Sequence, residues 1–244
     1  MRSYLRLELL RSLRDRQYLA LVVGWPVGAY LLFSAVFGSQ PATNGLSVDT
    51  GLMVSMATFG AFGAVLIATG PRLALDRQTG WLRQMRLTPL APGVIFAARV
   101  IAAIVLALPA IVLTFIVGVA AHGVRLEPWQ WPVLVGLLTA GCLPFAAIGL
   151  VIGAAVDADA AQGATTVVYL AMAALGGMWI PVSILPAPLQ TVALALPSNR
   201  MAELGWKVAA GQAPTLAAVA ILGAWFLGAT IVGRLVSGRL TVRA

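Results

Sequence analysis

Ile95-Phe-Ala-Ala-Arg-Val-Ile-Ala-Ala-Ile-Val-Leu-Ala-Leu-Pro-Ala-Ile-Val-Leu-Thr-Phe-Ile-Val-Gly-Val-Ala-Ala121 runs for 27 residues with Arg99 as its single charge. About 20 apolar residues carry a helix across roughly 30 Å of hydrocarbon, so this stretch is long enough to span a bilayer. Arg99 lies near one end, where a long side chain is expected to snorkel to the interface. Five further stretches share this character, at 18–37, 52–70, 131–156, 164–185 and 215–236. An unpaired backbone group costs several kcal/mol in lipid, which leaves helices and closed barrels as spanning structures. None of the runs alternates with period two, so the sequence reads as all-α: a polytopic, six-span membrane protein built as one domain over 1–244.

The composition agrees. Hydrophobic residues make up 60% of the chain and charged residues 10%, with a mean hydropathy of +0.94. A soluble domain carries about 25% charged residues, so lipid is the expected solvent. The run Tyr18 to Phe37 is too long for a signal-peptide core, typically about 7–15 residues, and has no A-x-A exit. It reads as a retained first span. The lone cysteine, Cys142, sits in an apolar stretch as a small packing residue.

A net charge of +8 and a pI near 11 would raise nucleic-acid binding in a soluble chain. The distribution of the basic residues excludes it. Arg2, Arg6, Arg11, Arg14 and Arg16 precede the first span; Arg72, Arg77, Arg83, Arg86 and Arg99 flank the second loop; Arg234, Arg239 and Arg243 close the chain. Only Arg125, Arg200 and Lys207 fall on the other side. The positive-inside rule then places both termini in the cytoplasm of a cell-membrane protein. Trp25, Trp129, Trp131, Trp179 and Trp206 lie near predicted span ends, as interfacial aromatic belts do. Residues 1–16 carry Leu5, Leu9 and Leu13 on one face and predict an interfacial helix. Residues 186–214, broken by Pro186, Pro188, Pro197 and Pro214, predict short external helices, one of them capped by Ser198.

Catalytic motifs are missing. The sequence has no G-x-x-x-x-G-K-[ST], G-x-S-x-G or H-E-x-x-H, one lysine (Lys207) and one histidine (His122). The expectation is therefore no metal site, no cofactor and no enzyme activity in this chain. Asp157 and Asp159 sit at span ends, so no buried carboxylate offers itself for proton coupling. Energy is expected to come from a partner.

The polar stretch that stands out is Arg72-Leu-Ala-Leu-Asp-Arg-Gln-Thr-Gly-Trp-Leu-Arg-Gln-Met-Arg-Leu-Thr-Pro-Leu90. Arg77, Trp81 and Met85 are spaced four apart, Arg83 and Arg86 lie beside them, and Pro89 ends the pattern. The spacing predicts a short amphipathic helix with an aromatic anchor and guanidinium forks, residue types enriched at binding hot spots. A basic loop that only satisfies the positive-inside rule is the plainer reading.

At these residues the chain resembles the membrane subunits of ABC-2-type ABC exporters, notably actinobacterial antibiotic and drug-efflux permeases. The match runs through Asp76, Arg77, Gly80, Trp81, Arg83, Arg86 and Thr88-Pro89-Leu90, with Asp76 where many members carry Glu. A second match is Gly176-Gly-Met-Trp-Ile-Pro-Val-Ser-Ile-Leu-Pro186, followed by Leu196-Pro-Ser198 and Ala202-Glu-Leu204. The resemblance implies a half-transporter paired with a second permease copy, most simply as a homodimer. Two separate ATPase subunits, which hold the ATP and Mg, would dock on residues 72–90 as a coupling helix. It also implies that the second and fifth spans line the route. Met53, Met56, Phe59 and Phe62, with Tyr169 and Met172, then offer an adaptable wall for an apolar or amphipathic cargo such as a drug, antibiotic or lipid. Ordinary helix packing explains the same residues. Gly149 and Gly153 form a G-x-x-x-G pair suited to close helix approach, at a dimer contact or inside the bundle. The rival function is a membrane anchor that tethers a cytoplasmic partner and moves nothing.

Overall fold

The computed structural model describes residues 20–38, 45–81, 84 and 92–241. The expected interfacial helix at 1–16 lies outside them. A π-helical turn, Ala20–Gly24, leads directly into α1 (Trp25–Phe37), and Pro26, which lacks an amide hydrogen, sits at the change from one helical winding to the other. There follow α2 (Val48–Gln78), α3 (Pro92–His122), α4 (Gln130–Gly141), α5 (Leu143–Ala155) and α6 (Ala158–Leu175). After a 3-10 turn at Val182–Ile184 come α7 (Ala187–Ala195), α8 (Pro197–Ala209) and α9 (Leu216–Thr241). The described residues contain no β-strand.

Among the described residues, four segments are long and apolar enough to cross a membrane: Val48–Gln78, Gly93–His122, Gln130–Ala155 and Leu216–Val236. The other two expected spans, 18–37 and 164–185, hold the shorter α1 and α6. At the latter the helix stops at Leu175, because Gly177 turns the chain at φ +83°. The apolar run continues, but the helix does not.

Helix α2 is the axis of the bundle. Ser47 caps it, its hydroxyl accepting from the Thr50 amide at 3.2 Å, and Asp49 favours the positive end of the helix dipole. Its 31 residues measure about 46 Å at 1.5 Å per residue, well beyond one hydrocarbon thickness. The helix passes through Pro71 and ends at Gln78. Arg72–Gln78 are thus its last turns and not the start of a separate amphipathic helix. Hydropathy falls there because charges appear, while Leu73 and Ala74 stay buried and hold the helix to its neighbours.

The close approach of α5 to α2 depends on Gly149 and Gly153. A β-carbon at Gly149 would overlap the Thr69 hydroxyl, and one at Gly153 would overlap the Gly70 carbonyl. The G-x-x-x-G pair is spent inside the bundle. Between α4 and α5 the helix is interrupted at the single residue Cys142, two residues before Pro144, whose missing amide hydrogen removes one rung of the ladder.

Helices α7 and α8 fill 187–209 as the prolines predicted, with one correction. Leu196, not Ser198, is the N-cap of α8. The Ser198 hydroxyl instead donates to the Met172 carbonyl at 2.7 Å, and the Asn199 amide donates to the Gly176 carbonyl at 3.1 Å. Both bonds tie α8 to the end of α6. Trp206 reaches α2, its indole N–H shared between the Gly51 carbonyl and the Ser55 hydroxyl at 3.2 Å each.

Candidate functional site

The charged end of α2 begins with Asp76 and Arg77. Consecutive helical residues point about 100° apart, so the two side chains meet different neighbours. Asp76 faces α3 and forms an ion pair with Arg99, which is only 2% exposed. Arg99 therefore does not snorkel to the interface; it turns inward to a carboxylate. Burying a charge is costly unless it is paired, and the pairing is the physical reason for the difference.

Arg77 faces α5. Its Nη1 donates to the carbonyls of Gly153 at 2.7 Å, Ala154 at 2.6 Å and Val156 at 3.3 Å. The last carbonyls of a helix lack intrahelical partners and form its negative end. Helix α5 has no basic residue in its own last turn, so α2 supplies the cation from outside. One residue further along the chain, Asp157 caps α6, its carboxylate accepting from the Ala160 amide at 2.9 Å. The α5–α6 corner is thereby held from both sides.

Gly80 then turns the chain in the left-handed region at φ +73°, and Trp81 follows it with 42% of its surface exposed. Arg77 and Trp81 consequently do not share one helix, contrary to the four-residue spacing. Arg83, Arg86, Thr88 and Pro89, together with Met85, lie outside the described residues. What remains of the expected site is an inward-facing pair, Asp76 and Arg77, and an outward-facing indole at Trp81.

The six residues expected along a route are buried between 0% and 9% exposure. Phe59 and Tyr169 stack at 4.5 Å with planes 10° apart, Phe62 meets Tyr169 edge-on at 5.3 Å, and Phe62 stacks on Phe145 at 4.8 Å. Gly63 makes room for the Tyr169 ring, which would overlap any β-carbon there. Met53 belongs to another contact, with its thioether against Gly118 of α3. Met56 and Met172 are buried in the same core cluster. In this conformation these residues close the space between α2, α5 and α6. Sequence reasoning missed Phe145, which nothing distinguishes within its apolar run, and Trp179, which packs edge-on against Phe59 at 5.4 Å.

Trp179 also borders a cavity of about 510 Å³ at the Ser47 end of α2. Its walls include Ser55, Asn199, Trp206 and the Arg200–Glu203 ion pair of α8. Lys207 joins Glu203 at 3.9 Å, and the Thr215 hydroxyl donates to Glu203 at 2.9 Å. The cavity is amphipathic, with aromatic and charged walls, and the Phe59–Tyr169 stack lies on the far side of Trp179.

Comparison with known proteins meets this geometry. The family model for the ABC-2 type transporter matches residues 1–208. The chain is similar to "Putative transport permease YvfS" of Bacillus subtilis (strain 168), 28% identical over 90% of this chain and 89% of the relative. Long apolar helices gathered on one axis, and a family match across most of the length, lead to one conclusion: the chain belongs to the ABC-2 type transporter family and is a membrane transport subunit.

Proposed function

We propose that this chain is the membrane-spanning permease of an ATP-driven exporter, working as a homodimer energised by two copies of a separate ATPase. The family supports the class of machine. The observation that carries the mechanism is the end of α2, where Asp76 and Arg77 fasten it to α3 and α5 while Trp81 stands exposed one turn beyond. In this reading six spans cross the cell membrane, both termini are cytoplasmic, and the 72–90 segment seats on the ATPase. Nucleotide-driven closure of the ATPases moves Trp81, and the Asp76 and Arg77 contacts pass that movement to three helices at once. Alternating access needs only two packed states that the partner biases.

The cargo route runs through the contact between α2 and α6. Parting the Phe59–Tyr169 stack opens the space below Trp179 toward the amphipathic cavity. Aromatic and thioether walls suit an apolar or amphipathic cargo, a drug, antibiotic or lipid. The test is reconstitution of the permease with its ATPase in vesicles. Trp81→Ala is expected to insert and melt like the parent, retain ATP hydrolysis by the complex, and lose at least about tenfold in transport, since exposed aromatic anchors dominate such contacts. Normal transport by Trp81→Ala removes the coupling role. A parent complex with no nucleotide-dependent flux makes the chain an anchor.

A further inference from the structure

Away from the proposed route, α2, α3, α5 and α9 enclose a groove of about 550 Å³. One wall runs from Gly93 to Ile101 on α3 and the other from Arg234 back to Phe226 on α9. Each wall covers about 12 Å at 1.5 Å per residue, slightly less than one leaflet of a roughly 30 Å hydrocarbon core. Contacts through α2 and α5 make the two helices run antiparallel, so Gly93 and Arg234 belong to one end of the groove and Ile101 and Phe226 to the other. Below Arg234 the groove is apolar: the hydroxyl of Thr230 is already spent on the Phe226 carbonyl at 2.7 Å. Arg234 itself is exposed and, among the described residues, has neither ion pair nor hydrogen-bond partner.

We infer that this groove is a binding site for one anionic phospholipid of the inner leaflet, its phosphate on Arg234 and an acyl chain along α3 and α9. A guanidinium is a fork for phosphate oxygens, and an apolar trough one leaflet deep ending in one arginine matches the two halves of such a lipid. Charge argues against the other occupants. Residues 1–16 bring five arginines against Glu8 and Asp15, which repels them from Arg234. A second copy seated groove to groove would bring two Arg234 side chains into one apolar contact with no carboxylate in either groove. The site rests on the cytoplasmic orientation proposed above and on nothing else in that proposal. Its test needs neither ATPase nor transport, so the two can fail separately.

The experiment measures lipid retained by the full-length chain, purified in mild detergent and offered phosphatidylglycerol and phosphatidylcholine with the same acyl chains. Phosphatidylglycerol is expected to be held about fivefold better, the value of one interfacial arginine. Arg234→Gln is expected to erase that preference and Arg234→Lys to keep it, while Ala229→Phe fills the trough and lowers retention of both lipids. Equal retention of the two lipids by the parent would mean annular lipid only and overturn the site. So would displacement of phosphatidylglycerol by inorganic phosphate alone. A disulfide between cysteines placed at Leu9 and Ala229 would hand the groove to the N-terminal segment, and one between two chains at Ala229 would hand it to a second copy. Either overturns the inference.

Discussion

The most apolar 18-residue stretches of α2 and α9 are almost equally apolar, with mean hydropathies of 1.9 and 2.1, yet 83% of one stretch is buried and 11% of the other. Hydropathy says that a helix prefers lipid or protein to water, and in a membrane it does not choose between the two. What chooses is shape and polar pairing. Along α2, Gly60 packs against Pro26 and Ala110, Gly63 against Tyr169, and Gly70 against Thr165. Along α9, Gly223 and Gly228 face open space and Gly233 makes only ordinary contact with Val151 at 3.5 Å. The same residue type is an interface in one helix and a bare position in the other.

The contrast can be broken at several points. The largest effect is expected from Asp76→Ala, which removes the carboxylate paired with the buried Arg99 and should cost about 3–5 kcal/mol, read as a fall in melting temperature in detergent. The double variant Asp76→Ala/Arg99→Met should recover most of it; a double no better than the single would deny the pairing. Next comes Phe59→Ala, which leaves a cavity beside Tyr169 and should cost on the order of 3 kcal/mol. Gly63→Ala pushes the Tyr169 ring aside, an overpacking worth about 1–3 kcal/mol. Smallest, and of opposite sign, is Gly228→Ala on α9. With nothing near its β-carbon, the substitution should stabilise the helix by up to about 1 kcal/mol through propensity alone. If Gly63→Ala and Gly228→Ala shift the melting temperature alike, the two helices do not differ as described.

The long apolar runs made the helical class and most of its helices legible from sequence. Their ends were less so, because hydropathy reports solvent preference and backbone conformation answers to other residues. Helix α2 outlasts its apolar run by eight residues, from 70 to Gln78, and α6 stops ten residues short of 185. At the candidate site, Asp76 and Arg77 stand out by motif, but their inward direction depends on where α2 ends. Arg99 could have been paired from sequence: a charge inside an apolar run needs a counter-charge, and the chain has only eight acidic residues. The Phe59–Tyr169 stack joins residues 110 positions apart, which no local pattern reveals.

Gly80 has a mechanical corollary. Arg77, locked into the bundle, and the exposed Trp81 that follows it are separated by one left-handed joint with open space where a β-carbon would stand. That arrangement is a short lever on a fixed pivot. Because α2, α3 and α5 are yoked at Asp76 and Arg77, a load on the indole cannot drag one helix while its neighbours stay behind. On the coupling role proposed above, small displacements of the indole would be taken up at the joint, and larger ones would reach α2, α3 and α5 together.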